Sequence, residues 1–159
     1  MSNVQIGADV ASESSTQLFT LGSRFVDDDG REFIYLLADE AITGVGYSVV
    51  IDQDFGSSML DTGTSVNAYG KGVAVAPIAV TSGYYYWGQI YGQAYGGVRV
   101  AASAAAGAKL NTTATGGVLD DDAGVGSENI DGVYISAADG GSGSAVAGFL
   151  SYPIVGATL

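Results

Sequence analysis

Short runs of β-branched and aromatic residues, each closed within a few positions by Gly, Asp or Ser, recur along the whole sequence. Glycine makes up 25 of the 159 residues, without the three-residue period of collagen. Val, Ile, Tyr, Phe and Thr favour extended backbone, whereas Gly, Asp and Ser favour the turns that connect strands. The alanine-rich stretch VAASAAAGAKL at residues 100–110 lacks an apolar helical period, so we predict a strand followed by a loop there. The pattern predicts an all-β fold.

We expect a single antiparallel β-barrel or β-sandwich domain of about nine strands over residues 17–159, preceded by an extended N-terminal arm at residues 1–16. Asp27 to Gly30, DDDG, predicts a turn. Pro77 has no N–H, so its strand is either an edge strand or broken by a bulge. Closed barrel and open sandwich both remain possible at this point. The predicted strands cover residues 17–26, 31–38, 45–51, 73–80, 84–94, 98–102, 109–114, 130–136 and 144–152.

The charge and the missing residue types exclude several functional classes. Five Lys and Arg stand against seventeen Asp and Glu, a formal net charge of -12, and the chain has no His and no Cys. A surface of this sign repels nucleic acid and anionic membranes, so we expect neither as a partner. Thiol catalysis and cysteine zinc sites are excluded, and the usual general base is missing. We therefore expect no enzymatic activity and no cofactor.

Two acidic clusters could in principle bind a hard cation. One is the Asp27–Asp29 turn, and the other is Asp120–Asp122 with Glu128 and Asp131 nearby. Neither has the alternating ligands and distal Glu of an EF-hand loop. We interpret both as solvated loops, and the sequence leaves calcium binding open. Paired carboxylates can also hydrolyse glycosides, but no apolar stretch marks one of them for a raised pKa.

The densest aromatic segment is YYYWGQIYGQAYGG at residues 84–97. Strand alternation places an aromatic, amide-rich row on one face of this segment. The row on the other face tapers from large to small and comprises Tyr84, Tyr86, Gly88, Ile90, Gly92 and Ala94. The aromatic, amide-rich row suits intramolecular packing under a loop, a subunit interface or a carbohydrate-binding face, and these alternatives stay open. As a self-association or capsid interface it would comprise Tyr85, Trp87, Gln89, Tyr91, Gln93 and Tyr95, together with Val4, Ile6 and Val10 of the arm.

The order of several segments resembles the small capsid decoration, or cement, proteins of tailed bacteriophages. The matching segments cover most of the chain, and only their order is informative, because each alone is a strand with a glycine turn. The pattern is matched at Tyr85, Trp87, Gln89, Gly92, Thr115, Gly117, Leu119, Asp120, Gly132, Tyr152 and Pro153. The segments are LGSRFVDDDGREFIYLLADEAITGVGYSVVI at 21–51, YYWGQIYGQAYGGVRVAASAAAGAKL at 85–110, NTTATGGVLDDD at 111–122, IDGVYIS at 130–136 and AVAGFLSYPIV at 145–155.

This resemblance implies a structural protein on the capsid exterior of the virion, assembled in the host cytoplasm. Such a protein would bind the major capsid protein and stabilise the shell by bridging neighbouring subunits. It would self-associate, with a trimer favoured over a dimer. The arm would help to clamp the shell. The alternative is a carbohydrate- or receptor-binding module of a phage head or tail fibre, which the same aromatic face would serve.

Overall fold

The computed structural model describes residues 7–158, which contain strands, turns and bends but no helix. Accordingly, none of these residues forms a helix long and apolar enough to cross a membrane. The predicted all-β class is confirmed. Twelve strands are present in this part of the chain: β1 (Arg24–Val26), β2 (Glu32–Ala38), β3 (Ser48–Ile51), β4 (Gly56–Met59), β5 (Val73–Val75), β6 (Tyr85–Gln93), β7 (Val98–Arg99), β8 (Asn111–Thr112), β9 (Leu119–Asp120), β10 (Glu128–Ile135), β11 (Ala145–Val146) and β12 (Gly148–Thr158).

Five of these strands close into a barrel. Neighbours follow the order β2-β4-β3-β5-β6, and β6 pairs back with β2 to complete the ring. The β2–β4 pair is parallel, joining Leu37 to Gly56, so the expectation of a purely antiparallel sheet is wrong at this point. The other four pairs of the ring are antiparallel. Because closure pairs both edges of each ring strand, the barrel removes the edges that an open sheet would expose.

The barrel interior is filled by one apolar cluster in which large and small side chains alternate. Tyr86, Leu36 and Ile42 are fully or nearly fully buried there beside Ala74. Gly88 faces the same interior, and a Cβ at that position would come within 2.8 Å of Leu36 Cδ1 and 3.0 Å of the Ala74 Cβ. The narrow barrel therefore has no room for a side chain at Gly88, and Tyr86, Gly88 and Ile90 share its interior face.

Two further clusters cover the outside of the barrel. One packs Val50, Val73 and Val75, on the outer face of β3 and β5, against β10, β12 and the loops around them. The other is aromatic and lies on the outer face of β1, β2 and β6. Strands β2 and β5 are therefore apolar on both faces, as the continuous run REFIYLLA predicts for β2.

Several predicted elements differ from the observed ones. Only the end of the strand predicted at 17–26 is a strand, although Phe19, Leu21 and Phe25 do share one cluster. The strand predicted at 73–80 ends at Val75, two residues before Pro77. Strand β4, with the sequence GSSM, and strand β9 carry too few β-branched or aromatic residues to be predicted. The turn at Asp27–Gly30 is confirmed, with Gly30 at φ 79° and Asp27 Oδ1 accepting the N–H of Arg31 at 2.9 Å.

Candidate functional site

Trp87 is at the centre of the aromatic cluster on the outer face of β1, β2 and β6. Its ring contacts Phe25 edge-on at 4.7 Å between centroids, Tyr35 at 4.8 Å and Phe19 at 5.1 Å. Tyr85 stacks on Tyr35 at 6.0 Å. Only 2% of the Trp87 surface is exposed, so its ring contacts its own chain on every side.

The N-terminal segment, residues 7–22, covers this cluster. Ser14 and Tyr85 exchange two backbone hydrogen bonds of 3.0 and 2.9 Å. Glu13 accepts from the Thr81 hydroxyl at 2.9 Å, and Tyr35 Oη accepts the N–H of Leu18 at 3.1 Å. Ala8, Val10, Phe19 and Leu21 add apolar contacts. Residues 7–16, part of the arm expected at residues 1–16, thus lie against the barrel and help to cover its aromatic face.

The Gln89 side chain forms hydrogen bonds with the backbone of the residues that follow it. Its Nε2 donates to the carbonyls of Tyr91 and Gln93 at 2.9 and 2.8 Å, and its Oε1 accepts the N–H of Tyr95 at 2.7 Å. The residue is 1% exposed. In this conformation Trp87 and Gln89, two members of the expected interface, are therefore almost fully enclosed by their own chain.

A β-bulge separates Tyr91 from the aromatic face on which alternation places it. In the β2–β6 register Phe33 pairs with Gln89 but Glu32 pairs with Tyr91, so Ile90 is an extra residue. One inserted residue turns the following side chains to the other face. Tyr91 and Gln93 therefore point away from Trp87, toward β12.

Tyr95 and Val10 are two further members of the expected interface, and both side chains are half-buried. Tyr95 packs at the edge of the aromatic cluster, with the Arg31 guanidinium 5.1 Å from its ring centroid. Val10 packs there from the covering segment. Val4 and Ile6 lie outside the described residues. The interface expected from the sequence is thus divided between a covered cluster and a second, exposed surface.

That second surface is the outer aromatic patch, formed by Tyr91, Tyr134, Phe149 and Tyr152. Tyr91 contacts Phe149 edge-on at 5.4 Å and stacks on Tyr152 at 5.1 Å. Tyr134 of β10 pairs directly with Phe149 of β12. Tyr134, Phe149 and Tyr152 are 54%, 41% and 50% exposed. Three neighbouring strands thus present four rings on one face, and sequence alternation within one strand could not reveal their proximity.

Tyr152 is held in place by an unusual backbone and by a charged partner. Its φ is 48°, and the three residues from Ser151 to Pro153 face the single Gly132 in β10. Its hydroxyl donates to Glu32 Oε2 at 2.7 Å, and this bond raises the pKa of Tyr152 because the carboxylate favours the protonated phenol. Arg24 pairs with the same Glu32 at 3.5 Å. The patch therefore has a polar, charged rim on the β2 side.

A cleft of about 200 Å³ opens beneath the N-terminal segment. Its walls combine aromatic side chains with the carboxyl-bearing residues Asp9 and Glu13. Rings beside carboxylates and hydroxyls are a composition that can stack on and hydrogen-bond a sugar. The aromatic wall comprises Phe19, Tyr35, Tyr85 and Trp87.

Two acidic residues in the described part of the chain, Asp39 and Asp120, have raised pKa values. Within residues 7–158 no three carboxylates lie close enough together to hold a metal ion by themselves. Burial, followed by the nearby Asp52 and Glu40, raises the pKa of Asp39. Burial also raises the pKa of Asp120. No imidazole or thiol accompanies either carboxyl group, since the chain has no His and no Cys.

Comparison with known proteins found no matching family, curated protein or solved structure.

Proposed function

We propose that this chain is a non-enzymatic structural protein of a tailed-bacteriophage virion that decorates the outer surface of the capsid. It binds the major capsid protein and stabilises the shell by bridging neighbouring subunits. The observation that carries the proposal is the outer aromatic patch, a set of four rings on a paired sheet that residues 7–158 leave largely exposed. The resemblance of the sequence to decoration proteins supports the choice of partner.

The patch has the chemistry of a protein-binding surface. Tyr and Phe are enriched in protein interfaces because each buries a large area and loses little conformational entropy on binding. Tyr91, Phe149 and Tyr152 are already ordered against one another, so little ordering cost remains when a partner covers them. The Glu32 and Arg24 rim supplies polar groups that can set orientation.

The charge of the molecule suits the exterior of a capsid. A net charge of -12 disfavours the DNA-filled interior, where the protein would face phosphate groups. On the exterior, many copies bind one shell, and a moderate affinity per copy is sufficient. Self-association as a trimer would place three patches around a symmetry axis, which is part of the proposal.

Binding to undecorated capsids tests the proposal. We expect the wild-type protein to bind saturably and to raise the thermal transition of the shell. The double variant Tyr134→Ser, Phe149→Ser should weaken binding by about 30-fold or more, the effect of removing an interface hot spot. Both side chains face solvent, so circular dichroism and thermal unfolding of the variant should match the wild type.

Tyr69→Ser is the matched control, because Tyr69 is 77% exposed and is not part of the patch. It should bind capsids like the wild type. Equal binding by the double variant and the control would exclude the patch as the docking surface. Failure of the wild type to bind would exclude the decoration function.

The cleft beneath the N-terminal segment favours a second candidate, a carbohydrate- or receptor-binding module of a head or tail fibre. Trp87 lines that cleft and is the one tryptophan of the chain, so its fluorescence reports on a ligand bound there. A saturable change in Trp87 emission with glycans from an array, without capsid binding, would favour this candidate over decoration.

A further inference from the structure

Three polar residues form a row across β9, β8 and β10. Asn111 of β8 pairs with Asp120 of β9 on one side and with Asn129 of β10 on the other. Directly paired residues project from the same face of a sheet, with Cβ atoms about 5 Å apart. Their sequence neighbours Leu110, Leu119 and Ile130 are buried in the adjoining apolar cluster on the opposite face.

Asn111 and Asn129 each bury a side-chain oxygen that accepts no hydrogen bond. The two residues are 3% and 2% exposed, and Oδ1 of each has no partner within the described part of the chain. Buried polar atoms without a partner are rare in folded proteins, because such an atom loses its hydration and gains nothing in return. Two of them on directly paired residues indicate that a group bound between them is needed.

The amide nitrogens are already engaged with the acidic segments. Asn111 Nδ2 donates to the Asp121 carbonyl at 3.5 Å, and Asn129 Nδ2 contacts Asp131 Oδ1. The oxygens are therefore the atoms left for a ligand. Gly156 of β12 packs directly against the Asn129 and Asp131 side chains, since a Cβ there would lie 2.7 Å from Asp131 Oδ2 and 3.1 Å from Asn129 Nδ2.

The surrounding charge is negative and without a cationic partner. Ion pairs in residues 7–158 involve Arg24 and Arg31 only, so neither Asp120 nor Asp131 is neutralised by a basic side chain. Asp120 flanks Asn111, and Asp131 flanks Asn129. Carboxylate and amide oxygens together are the ligands that hard divalent cations prefer.

We propose that Asn111, Asn129 and Asp131 form a calcium site, with Asp120 adding negative charge from β9. The two amide oxygens and the Asp131 carboxylate bind the ion, and water completes its shell. Calcium fits better than magnesium because it tolerates irregular oxygen geometry and accepts neutral carbonyl ligands. The ion would join β8, β9 and β10, and residues 121–127 between β9 and β10 include the acidic Asp121 and Asp122. This proposal uses none of the residues of the outer aromatic patch and is independent of the decoration function.

Calcium titration of the full chain, stripped of metal with EDTA and dialysed, is the direct test. Isothermal titration calorimetry should show saturable binding with a Kd on the order of 10⁻⁴ to 10⁻³ M, the range of sites with few charged ligands. The midpoint of thermal unfolding should rise by several degrees in 10 mM CaCl₂ and by less in MgCl₂. NaCl at equal ionic strength controls for charge screening.

Asp131→Asn should weaken calcium binding at least tenfold, because it removes the charged ligand while keeping the shape of an exposed side chain. Asp122→Asn makes the same change of charge in the neighbouring loop and should bind calcium like the wild type. If the two variants lose affinity equally, the carboxylates act only as a diffuse anionic surface, and the site is wrong.

A second measurement does not depend on any variant. In ¹H–¹⁵N spectra of the wild type, the side-chain NH₂ signals of Asn111 and Asn129 should shift saturably with calcium at the calorimetric Kd. The alternative occupant is a water molecule that donates to both oxygens. In that case calcium produces neither heat nor shifts of these signals, and the proposal is overturned.

Discussion

The hydroxyl group of Tyr86 enters the barrel interior, where burial raises its pKa well above the ordinary value. Ser57 donates its hydroxyl hydrogen to the Leu37 carbonyl at 2.9 Å, so Tyr86 Oη must donate to Ser57 Oγ, also at 2.9 Å. One hydrogen-bond chain thus connects β6, β4 and β2 inside the ring. It secures β4, the strand with the weakest sequence signal.

Tyr86→Phe is expected to lower the free energy of unfolding by about 1 kcal/mol, because it removes one buried hydrogen bond and leaves Ser57 with its carbonyl partner. Urea denaturation measures the change. Tyr69→Phe, which removes a hydroxyl group from an exposed ring, should leave the free energy unaltered. An unchanged stability in Tyr86→Phe would show that the chain does not contribute.

The Asp139 carboxylate accepts hydrogen bonds from several residues of the turn that precedes β11. Its Oδ2 accepts N–H groups from Gly141, Ser142 and Gly143 at 2.8 to 3.1 Å, and Oδ1 accepts from the Ser144 hydroxyl. The Ser144 bond, followed by those from Gly141 and Gly143, holds the pKa of Asp139 well below its usual range. All of these bonds favour the ionised carboxylate.

Asp139→Asn should therefore lower the thermal midpoint at pH 7 by several degrees. A lowered pKa in the folded state stabilises the protein above the unfolded pKa of about 3.9 and ceases to do so as pH falls toward the folded value. The gap between variant and wild type should close below about pH 4. Asp28→Asn in the exposed turn is the control; a gap that persists at low pH would contradict this account.

At the scale of elements, the bulge at Ile90 and the N-terminal segment decide which aromatic residues are available. The bulge sends Tyr91 to the exposed patch, while residues 7–22 cover Trp87 and its neighbours. The sequence of this segment predicts no regular secondary structure, yet the segment buries the aromatic cluster. Its attachment to the barrel depends on contacts of Val10, Glu13 and Ser14.

Val10→Asp should loosen the N-terminal segment, because it places a charge against the aromatic cluster. We expect a loss of about 1–2 kcal/mol in unfolding free energy and a red shift of Trp87 emission as water gains access. Ala11→Asp adds the same charge at the adjacent exposed position and should change neither quantity. A similar red shift in both variants would mean that charge alone, and not lost packing, loosens the segment.

The whole molecule carries many like charges on a small surface. The net charge is -12, and the ion pairs of residues 7–158 are confined to the region around Arg24 and Arg31. Repulsion among the unpaired carboxylates destabilises the compact state, and salt screens it over a Debye length of about 10 Å at 0.1 M.

The thermal midpoint should accordingly rise by a few degrees between 10 and 150 mM NaCl. Scanning calorimetry measures the rise, and KCl at equal ionic strength should give the same curve, because screening does not distinguish the two ions. A midpoint that falls with added salt would show that the ion pairs around Arg31 outweigh the repulsion.

Much of the architecture could be read from local pattern. The all-β class, strand β2, the core face of β6 and the turn at Gly30 each follow from residues within one short window. Strands β4 and β9 could not be predicted, because GSSM and LD have little intrinsic strand preference and become extended through pairing with the neighbouring strands β3 and β8. Of the expected interface residues, Tyr91 and Gln93 lie on an outward face. The proximity of Tyr134, Phe149 and Tyr152 to Tyr91 could not be predicted, because these residues lie on three strands that are separate in sequence.

The sequence by itself determined the chemistry: an acidic, histidine-free and cysteine-free chain of short strands with a dense aromatic segment. Only the tertiary structure decided which of those aromatic rings are covered and which remain exposed. The physical reason is that alternation along a strand assigns a side chain to a face. Bulges, barrel closure and the path of residues 7–22 then decide whether that face meets water or another part of the chain.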